Sequence, residues 1–415
     1  QHGQVLNIDQ TIKAIQQALL SCYESNPELE ISEVYVGIAG HHIKSLQTRG
    51  DMVRQEPENE IKDWEIAMLI ENQRKTFIPA GDQIIDVIPQ DFHVDNIQNI
   101  KDPVGYNGVK VGANFHIITG DRNAIRNINR AVERSELKTK DLVLQPLASA
   151  SAVMSDIDME AGVAILDIGG GTSDLAVFHD GILKHTAVIP FGGENITNDI
   201  RVGLGVLKQQ AEAMKVQFGS ALADEAKANA FITIPGLKGM QAKEISVKNL
   251  AQIIQARMSE ILDFVSYHLK QVGLDSRALN GGIILTGGGS QLKHLIQLTE
   301  YTTGLSARIG LPNEHLAPNH IEELKKPMYA TCLGLILKGY SDYELKYKEF
   351  NEKYRKIEMP KKLKAEVEEP IVEQPKTEEP TTVDVTARKQ KFAFWDKFKD
   401  NLIDLFKEEE DKIIR

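Results

Sequence analysis

The sequence predicts an α/β fold with mixed sheets, and three observations carry that expectation. Short apolar or alternating runs of strand length alternate with longer segments of helical periodicity. Two of the strand-like runs end in glycine triplets, Gly169–Gly171 and Gly287–Gly289. Charge is concentrated at one end: 36 of the last 75 residues are charged, against 71 of the first 340, so a globular body carries a charged tail.

The 415 residues are 42% apolar and 26% charged, enough for two cores of ordinary size. The balance of 48 Lys+Arg against 59 Asp+Glu gives −11, which argues against nucleic-acid binding as a main role. Cys22 and Cys332 cannot build a disulfide framework and fit a reducing compartment. No apolar run reaches the ~18 residues of a spanning helix, and no secretory signal is recognisable. The 11 histidines show no zinc spacing, the adjacent His41–His42 included.

The elements follow from periodicity. Ile12, Ile15, Ala18, Leu19 and Cys22 make 8–23 an amphipathic helix, and 32–39 reads as a strand. Residues 64–76 read as helix, 83–94 and 109–118 as alternating strands, and 122–134 as helix. A short strand at 142–144 leads into an Ala/Ser-rich helix at 146–154. Strands are expected at 163–167, 174–178, 182–189 and 283–285, and long helices at 195–218 and 247–272. A helix is also expected at 291–298. Residues 359–388 are rich in Lys, Glu and Pro, cannot bury enough apolar area to offset ordering, and read as a disordered linker.

Residues 163–177, VAILDIGGGTSDLAV, hold the first glycine turn. A buried strand ends at Asp167, turns through Gly169, Gly170 and Gly171, and returns through Thr172, Ser173 and Asp174. Glycines let backbone N–H groups approach an anion closely. Thr172 and Ser173 add hydroxyls, and Asp167 suits the shell of Mg²⁺, directly or through waters. The returning strand makes this a hairpin phosphate loop; no Walker loop exists, because no Gly-Lys-Ser/Thr occurs. A tight hairpin that uses glycine only for its geometry is the competing reading. The second turn, IILTGGGS at 283–290, offers Gly287, Gly288, Gly289 and Ser290, with a helix expected after it. Two such units predict two walls of one nucleotide cleft.

At this point the pair resembles the second phosphate motif and the adenosine motif of the actin/hexokinase/heat-shock-chaperone ATPase superfamily. PFGGENIT at 190–197 is similar to the glycine pair, Gly192 and Gly193, that opens an insertion in that superfamily's second domain. AEAMK at 211–215 sets Glu212 and Lys215 at i, i+3, which the resemblance assigns to ribose and purine; a solvated helical ion pair is the alternative. YATCLGL at 329–335 resembles the closing helix near the hinge. Within the superfamily the chain resembles the FtsA family of bacterial cell-division proteins. VYVGIAGHHIK at 34–44, VIPQDFHVD and IKDPVGYNG within 85–108, and LVLQPLASA at 142–150 carry that likeness over nearly the whole body.

The resemblance implies an actin-like two-domain ATPase fold with an FtsA-type inserted subdomain and a C-terminal amphipathic helix. Residues 1–47 and 127–160, rejoined by 325–340, would form the first domain, and 48–126 the inserted subdomain. Residues 161–198 and 278–324 would form the second domain, with 199–277 its helical subdomain. A charged linker would follow at 341–389, then an amphipathic helix at 390–415. The superfamily's first phosphate turn, Asp-x-Gly-Thr, does not occur in this sequence, which opens at Gln1 where that hairpin would already be complete. Either preceding residues supply it or the chain is a truncated variant lacking half the phosphate cradle. Gln145 falls where the superfamily has a residue near the attacking water; Gln orients water but is a poor base, so any ATP hydrolysis is expected to be slow.

The tail has its own physical reading. Phe392, Phe394, Trp395, Phe398, Leu402, Ile403, Leu405 and Phe406 fall on one half of a helix. Beyond a disordered linker they cannot join a local core, and they suit reversible docking on anionic lipid, with Glu408–Asp411 working against it. A partner helix, or docking on the body, is the alternative. The resemblance implies ATP and Mg²⁺ as cofactors and self-association into filaments. It also implies binding of the FtsZ C-terminal peptide on 199–277, contact with other divisome proteins, and a place on the cytoplasmic face of the inner membrane at the division septum. The competing function is a small-molecule kinase or phosphatase on the same fold; no substrate pocket for one is identifiable.

Overall fold

The computed structural model describes residues 3–227, 229–235, 241–274, 277–313, 315–316 and 322–355. The linker at 359–388 and the amphipathic segment at 390–415 lie outside them. In chain order the first elements are α1 (Ile8–Ser25), β1 (Glu33–Ile38), β2 (Lys44–Val53), α2 (Asp63–Gln73), β3 (Asp82–Val94), β4 (Ile97–Ile100) and β5 (Lys110–Asp121). Then come α3 (Arg122–Glu133), β6 (Lys138–Leu144), α4 (Gln145–Val153), α5 (Asp156–Ala161), β7 (Val163–Ile168), β8 (Ser173–His179) and β9 (Ile182–Ile189). The rest are α6 (Gly193–Leu204), α7 (Lys208–Phe218), β10 (Phe231–Ile234), β11 (Lys243–Ser246), α8 (Val247–Gln271), β12 (Ile283–Thr286), α9 (Leu295–Thr303), β13 (Ala307–Ile309) and α10 (Ala330–Arg355).

A five-stranded mixed sheet, in the order β13-β12-β7-β8-β9, holds both glycine turns. β7, β12 and β13 run parallel, while β7-β8-β9 is an antiparallel meander. Every residue of β7 is buried, because helices cover both faces of the sheet. Ala164, Leu166 and Ile168 pack into a core closed by α6, α7, α8 and α9. Val163 and Ile165 face the other way, toward α4 and the start of α10. Each such side chain gains ~1.5–3 kcal/mol on leaving water, before entropy is charged against it.

The second sheet, β2-β5-β3-β4, is wholly antiparallel and carries α2 over its own core around Phe115 and Ile117. A buried fork, Arg54 Nε to Glu65 Oε1 at 2.8 Å and Nη2 to Oε2 at 3.1 Å, locks α2 to the end of β2. This sheet docks on the outer edge of β9, whose carbonyls are taken by side chains. Gln90 Nε2 donates to Leu183 O at 2.6 Å and Gln47 Nε2 to Lys184 O at 3.3 Å. Edge β9 is thereby covered. β1 and β6 pair in parallel, with α3 packed on one face around Ile125 and Ile128.

Several expectations are corrected. The helix expected over 195–218 is two helices, because Gly205 takes a left-handed φ of 58° and ends α6. The helix expected over 291–298 is instead a 3-10 turn at Gly288–Gln291, a break, and then α9. The break is tertiary in origin: Lys293 O accepts from Ala221 N at 2.8 Å, and Ser220 Oγ meets His294 Nδ1 at 3.0 Å. The inserted sheet begins with β2 at Lys44, ahead of the expected 48, and α3 runs across the expected limit at 126. Residues 341–355, expected as linker, continue α10 as helix. Within 199–277, Leu250, Ile254, Met258, Ile261, Leu262 and Val265 of α8 pack into the core of the five-stranded sheet.

Candidate functional site

Strand alternation decides where the polar side chains of the first glycine turn go. On β7, odd positions face α4 and α10, so Asp167 turns to that side. Ser149 Oγ of α4 donates to Asp167 Oδ2 at 2.5 Å, and Thr331 Oγ1 of α10 donates to the same oxygen at 3.0 Å. Ser149 and Thr331 also touch at 2.9 Å, so three elements converge on one carboxylate. On β8, Asp174 stands opposite Asp167 in the ladder and shares its face. Thr172 Oγ1 donates to Asp174 Oδ2 at 3.0 Å, while Asp174 Oδ1 is buried without a protein partner.

Two carboxyls this close and this buried cannot both ionise freely. Burial raises Asp167, against the opposing hydrogen bonds of Ser149 and Thr331. Burial and then the charge of Asp167 push Asp174 up to about 7, with Thr172 opposing.

The two glycine turns are neighbours in one sheet. The expected picture of two facing walls is corrected by the register: β12 lies parallel to β7, with Thr286 beside Asp167. Gly287 has φ +79°, and a Cβ there would lie 2.3 Å from Asp167 Oδ1. A Cβ on Gly289 would lie 2.3 Å from Ile168 Cγ2. These two glycines let the strands' ends meet. Gly170 and Gly288 meet nothing within 4 Å and are exposed, so they present bare backbone at the rim. Gly169 closes the first turn by donating to Thr172 O at 2.9 Å, and Gly171 is half-buried between them.

The hydroxyls expected to serve phosphate point inward. Ser173, on the even–odd alternation opposite to Asp174, donates to Phe191 O at 2.8 Å and is fully buried. Ser290 Oγ donates to Gly287 O at 2.7 Å, and Thr172 is spent on Asp174. The second turn is followed by a four-residue 3-10 turn, not by the helix N-terminus expected.

Gly192 and Gly193 start α6 against the first turn. Gly193 N donates to Gly169 O at 2.9 Å and Glu194 N to Gly170 O at 2.7 Å, and a Cβ on Gly192 would lie 2.7 Å from Gly169 O. Lys215 reaches back from α7, its Nζ donating to Gly193 O at 2.9 Å, Thr197 Oγ1 at 2.9 Å and Glu212 Oε2 at 2.8 Å. Glu212 also accepts from Thr197. Its carboxyl is raised by burial but lowered more by Lys215 and Thr197 together, so the net shift is downward. The i, i+3 pair is therefore built into the α6–α7 junction beside the glycine turn, with Glu212 half-exposed.

Gln145 opens α4, one helical turn ahead of Ser149 and on the same face. It packs over Gly37 of β1, where an added Cβ would stand 3.1 Å from Gln145 Cγ. Sequence reasoning missed Ser149, Thr331, Thr286 and Asp174 as site residues. Their signal lay only in strand parity and in the meeting of distant segments. Thr286 Oγ1 donates to Pro327 O at 3.2 Å and thereby ties the second turn to the segment leading into α10. The membrane-facing candidates Phe394, Trp395, Phe398, Leu402, Leu405 and Phe406 lie outside the described residues.

Comparison with known proteins gives this geometry a family. The sequence profile "Cell division protein FtsA" matches residues 164–334, and "SHS2 domain inserted in FTSA" matches 40–119. The chain is 36% identical to the cell division protein FtsA of Neisseria meningitidis over 334 residues, 80% of each chain. It is 34% identical to that of Bacillus subtilis, over 80% of this chain and 74% of that one. Among solved structures it resembles a chain of the PilM-PilN type IV pilus biogenesis complex. That match has a TM-score of 0.57 at 17% identity and covers 82% of this chain and 87% of the other, a likeness of fold. The architecture is the actin-like α/β ATPase fold, and the sheet β2-β5-β3-β4 is its SHS2 insertion. The chain belongs to the FtsA family of cell division proteins.

Proposed function

We propose that this protein binds ATP at the two adjoining glycine turns, polymerises, and tethers FtsZ filaments to the inner face of the cytoplasmic membrane at the septum. One observation carries the nucleotide reading. Gly170 and Gly288 expose backbone at one sheet end, with the Asp167 carboxyl held immediately behind them. Exposed backbone there can meet phosphate oxygens. The donor chemistry also fits Mg²⁺. Asp167 is a fixed carboxylate, and no group of three acidic, His or Cys ligands occurs among the described residues. An ion held by one or two carboxylates that keeps its waters and phosphate oxygens is the habit of Mg²⁺. Bound there, it would neutralise phosphate charge. Ser149 and Thr331 orient the Asp167 carboxylate, and Gln145 on the same face of α4 is the residue to orient a water. Glutamine orients water but is a poor base, so turnover by the protein alone is expected to be slow.

Titration calorimetry of the full chain with Mg-ATP tests this, with saturable binding expected and its loss in Asp167→Ala. Absence of heat with the parent protein would overturn the reading. The tether is read from the apolar half of 390–415. Trp395→Glu with Phe398→Glu should release the protein from anionic vesicles, and unchanged co-sedimentation would count against the anchor. Binding of the FtsZ C-terminal peptide is assigned to 199–277. Because α8 belongs to the core, the test is surface substitution, not deletion. Glu at the exposed Val202, Val216 or Phe231 should weaken peptide binding for at least one of the three.

A further inference from the structure

Phe191 sits where the phosphate turn and the helical segment meet. Its carbonyl accepts the Ser173 hydroxyl at 2.8 Å. The residues just after it start α6, whose first amides are hooked on Gly169 O and Gly170 O at 2.9 Å and 2.7 Å. Its ring is held from the other side. The Arg257 guanidinium carbon lies 4.9 Å from the ring centroid, and Phe264, also on α8, packs at 5.9 Å between centroids. Arg257 in turn forks onto Asp199 of α6, Nε to Oδ2 at 2.7 Å and Nη2 to Oδ1 at 3.2 Å, and its Nη1 meets Glu260.

The Arg257 side chain is 21% exposed and Glu260 45%, so these ion pairs are weak glue for the fold. Their value lies in geometry. A planar guanidinium can stack on a ring and fork to a carboxylate at once, which a lysine cannot do. Arg257 therefore fixes three things together: the Phe191 ring, the axis of α6 through Asp199, and its own helix α8.

We propose that Arg257 is a positioning residue that clamps Phe191 and α6 onto the phosphate turn, coupling the nucleotide site to the helical segment 199–277. The coupling rests on the reading of the glycine turns as a phosphate site. Its physical path is short. Any movement of Gly169 or Gly170 pulls the first amides of α6 and the Phe191 carbonyl, and the ring passes the displacement to Arg257 and α8. By linkage, a ligand on the helical segment and a nucleotide then change each other's affinity by the same factor.

Two measurements decide this. The first needs no nucleotide: amide hydrogen exchange of full-length Arg257→Met and Arg257→Lys. Exchange at Gly193 and Glu194 should quicken about tenfold in both, while Phe115–Ile117 in the SHS2 sheet stay at the parent rate. No change at Gly193 and Glu194, or an equal change everywhere, would overturn the clamp. The second is a double-mutant cycle of Arg257→Lys and Phe191→Leu on the affinity for a fluorescent ATP analogue. Each single change should weaken binding about five- to tenfold, and the pair should be no worse than either alone. Fully additive losses, or single losses under about twofold, would refute the coupling. If the parent bound no nucleotide, the function proposed above would fail and the coupling with it, while the exchange experiment would still decide the clamp.

Discussion

Asp167 and Asp174 face each other across the β7–β8 ladder with both carboxyls turned to the α4–α10 side, away from solvent. The pair sets two carboxyls in one buried space. Ser149 and Thr331 satisfy Asp167 and leave one oxygen of Asp174 without a partner. Such an arrangement costs stability while both groups are charged and is relieved when one of them takes up a proton.

Asp174→Asn removes the like charge and keeps the acceptor for Thr172. The nucleotide-free protein is expected to gain about 1–2 kcal/mol at pH 8 by urea unfolding. A loss of stability at that pH would show that Asp174 is held by something other than proximity to Asp167.

The two exposed and two crowded glycines separate binding from folding. Gly170→Ala should fold normally, since nothing lies within 4 Å of its Cβ, yet weaken Mg-ATP binding at the rim. Gly287→Ala must set a Cβ 2.3 Å from Asp167 Oδ1 at φ +79° and should lose about 1–3 kcal/mol of stability as well. Equal melting temperatures for the two variants would contradict the packing of β7 on β12.

Gly334 lets α10 cross α4 closely. A Cβ there would stand 1.7 Å from Ala148 O, a backbone atom that cannot step aside. Gly334→Val is expected to cost more than about 3 kcal/mol, because it pushes apart the two helices that carry Ser149 and Thr331. Calorimetric melting measures this, and a soluble variant with the parent's melting temperature would refute it.

Acid should loosen the seat of the SHS2 sheet. His116 of β5 is buried with Nε2 on Thr186 Oγ1 at 3.0 Å, and burial with His185 nearby lowers it from 6.5 to about 4. His185 is likewise lowered to about 4, by burial and by His268, whose Nδ1 lies 3.2 Å from its Nε2. A folded value below the unfolded one means stability is complete above about pH 6.5 and is lost as pH falls toward about 4. His116→Gln should flatten that loss by roughly 1–2 kcal/mol between pH 7 and pH 4.5, read from urea unfolding across pH. Parallel curves for parent and variant would place the acid sensitivity elsewhere.

Much of the architecture was legible in the residues. Unbroken apolar runs such as 163–168 marked strands covered on both faces, and the glycine triplets marked the turns at the ends of β7 and β12. Helix periodicity located α1, α3, α4 and α8 to within a few residues. β2 escaped notice because KSLQTRGDMV carries too few apolar side chains to show a period of two; its partners on β5 supply the ladder. The false continuous helix at 195–218 came from reading periodicity through Gly205.

The site divides in the same way. Local chemistry in the chain named Asp167 and the two glycine triplets, since a turn's backbone demands are written in its own residues, while Gly192, Gly193 and the Glu212–Lys215 pair were named by the resemblance. Which carboxylate would meet which hydroxyl was decided only on folding. Ser149, Asp167 and Thr331 are brought together from three separate elements, and which way Ser173 and Asp174 point depends on which helices cover each face of the sheet. Contacts between distant segments are chosen by the packing of whole faces, and no short window of sequence contains both partners.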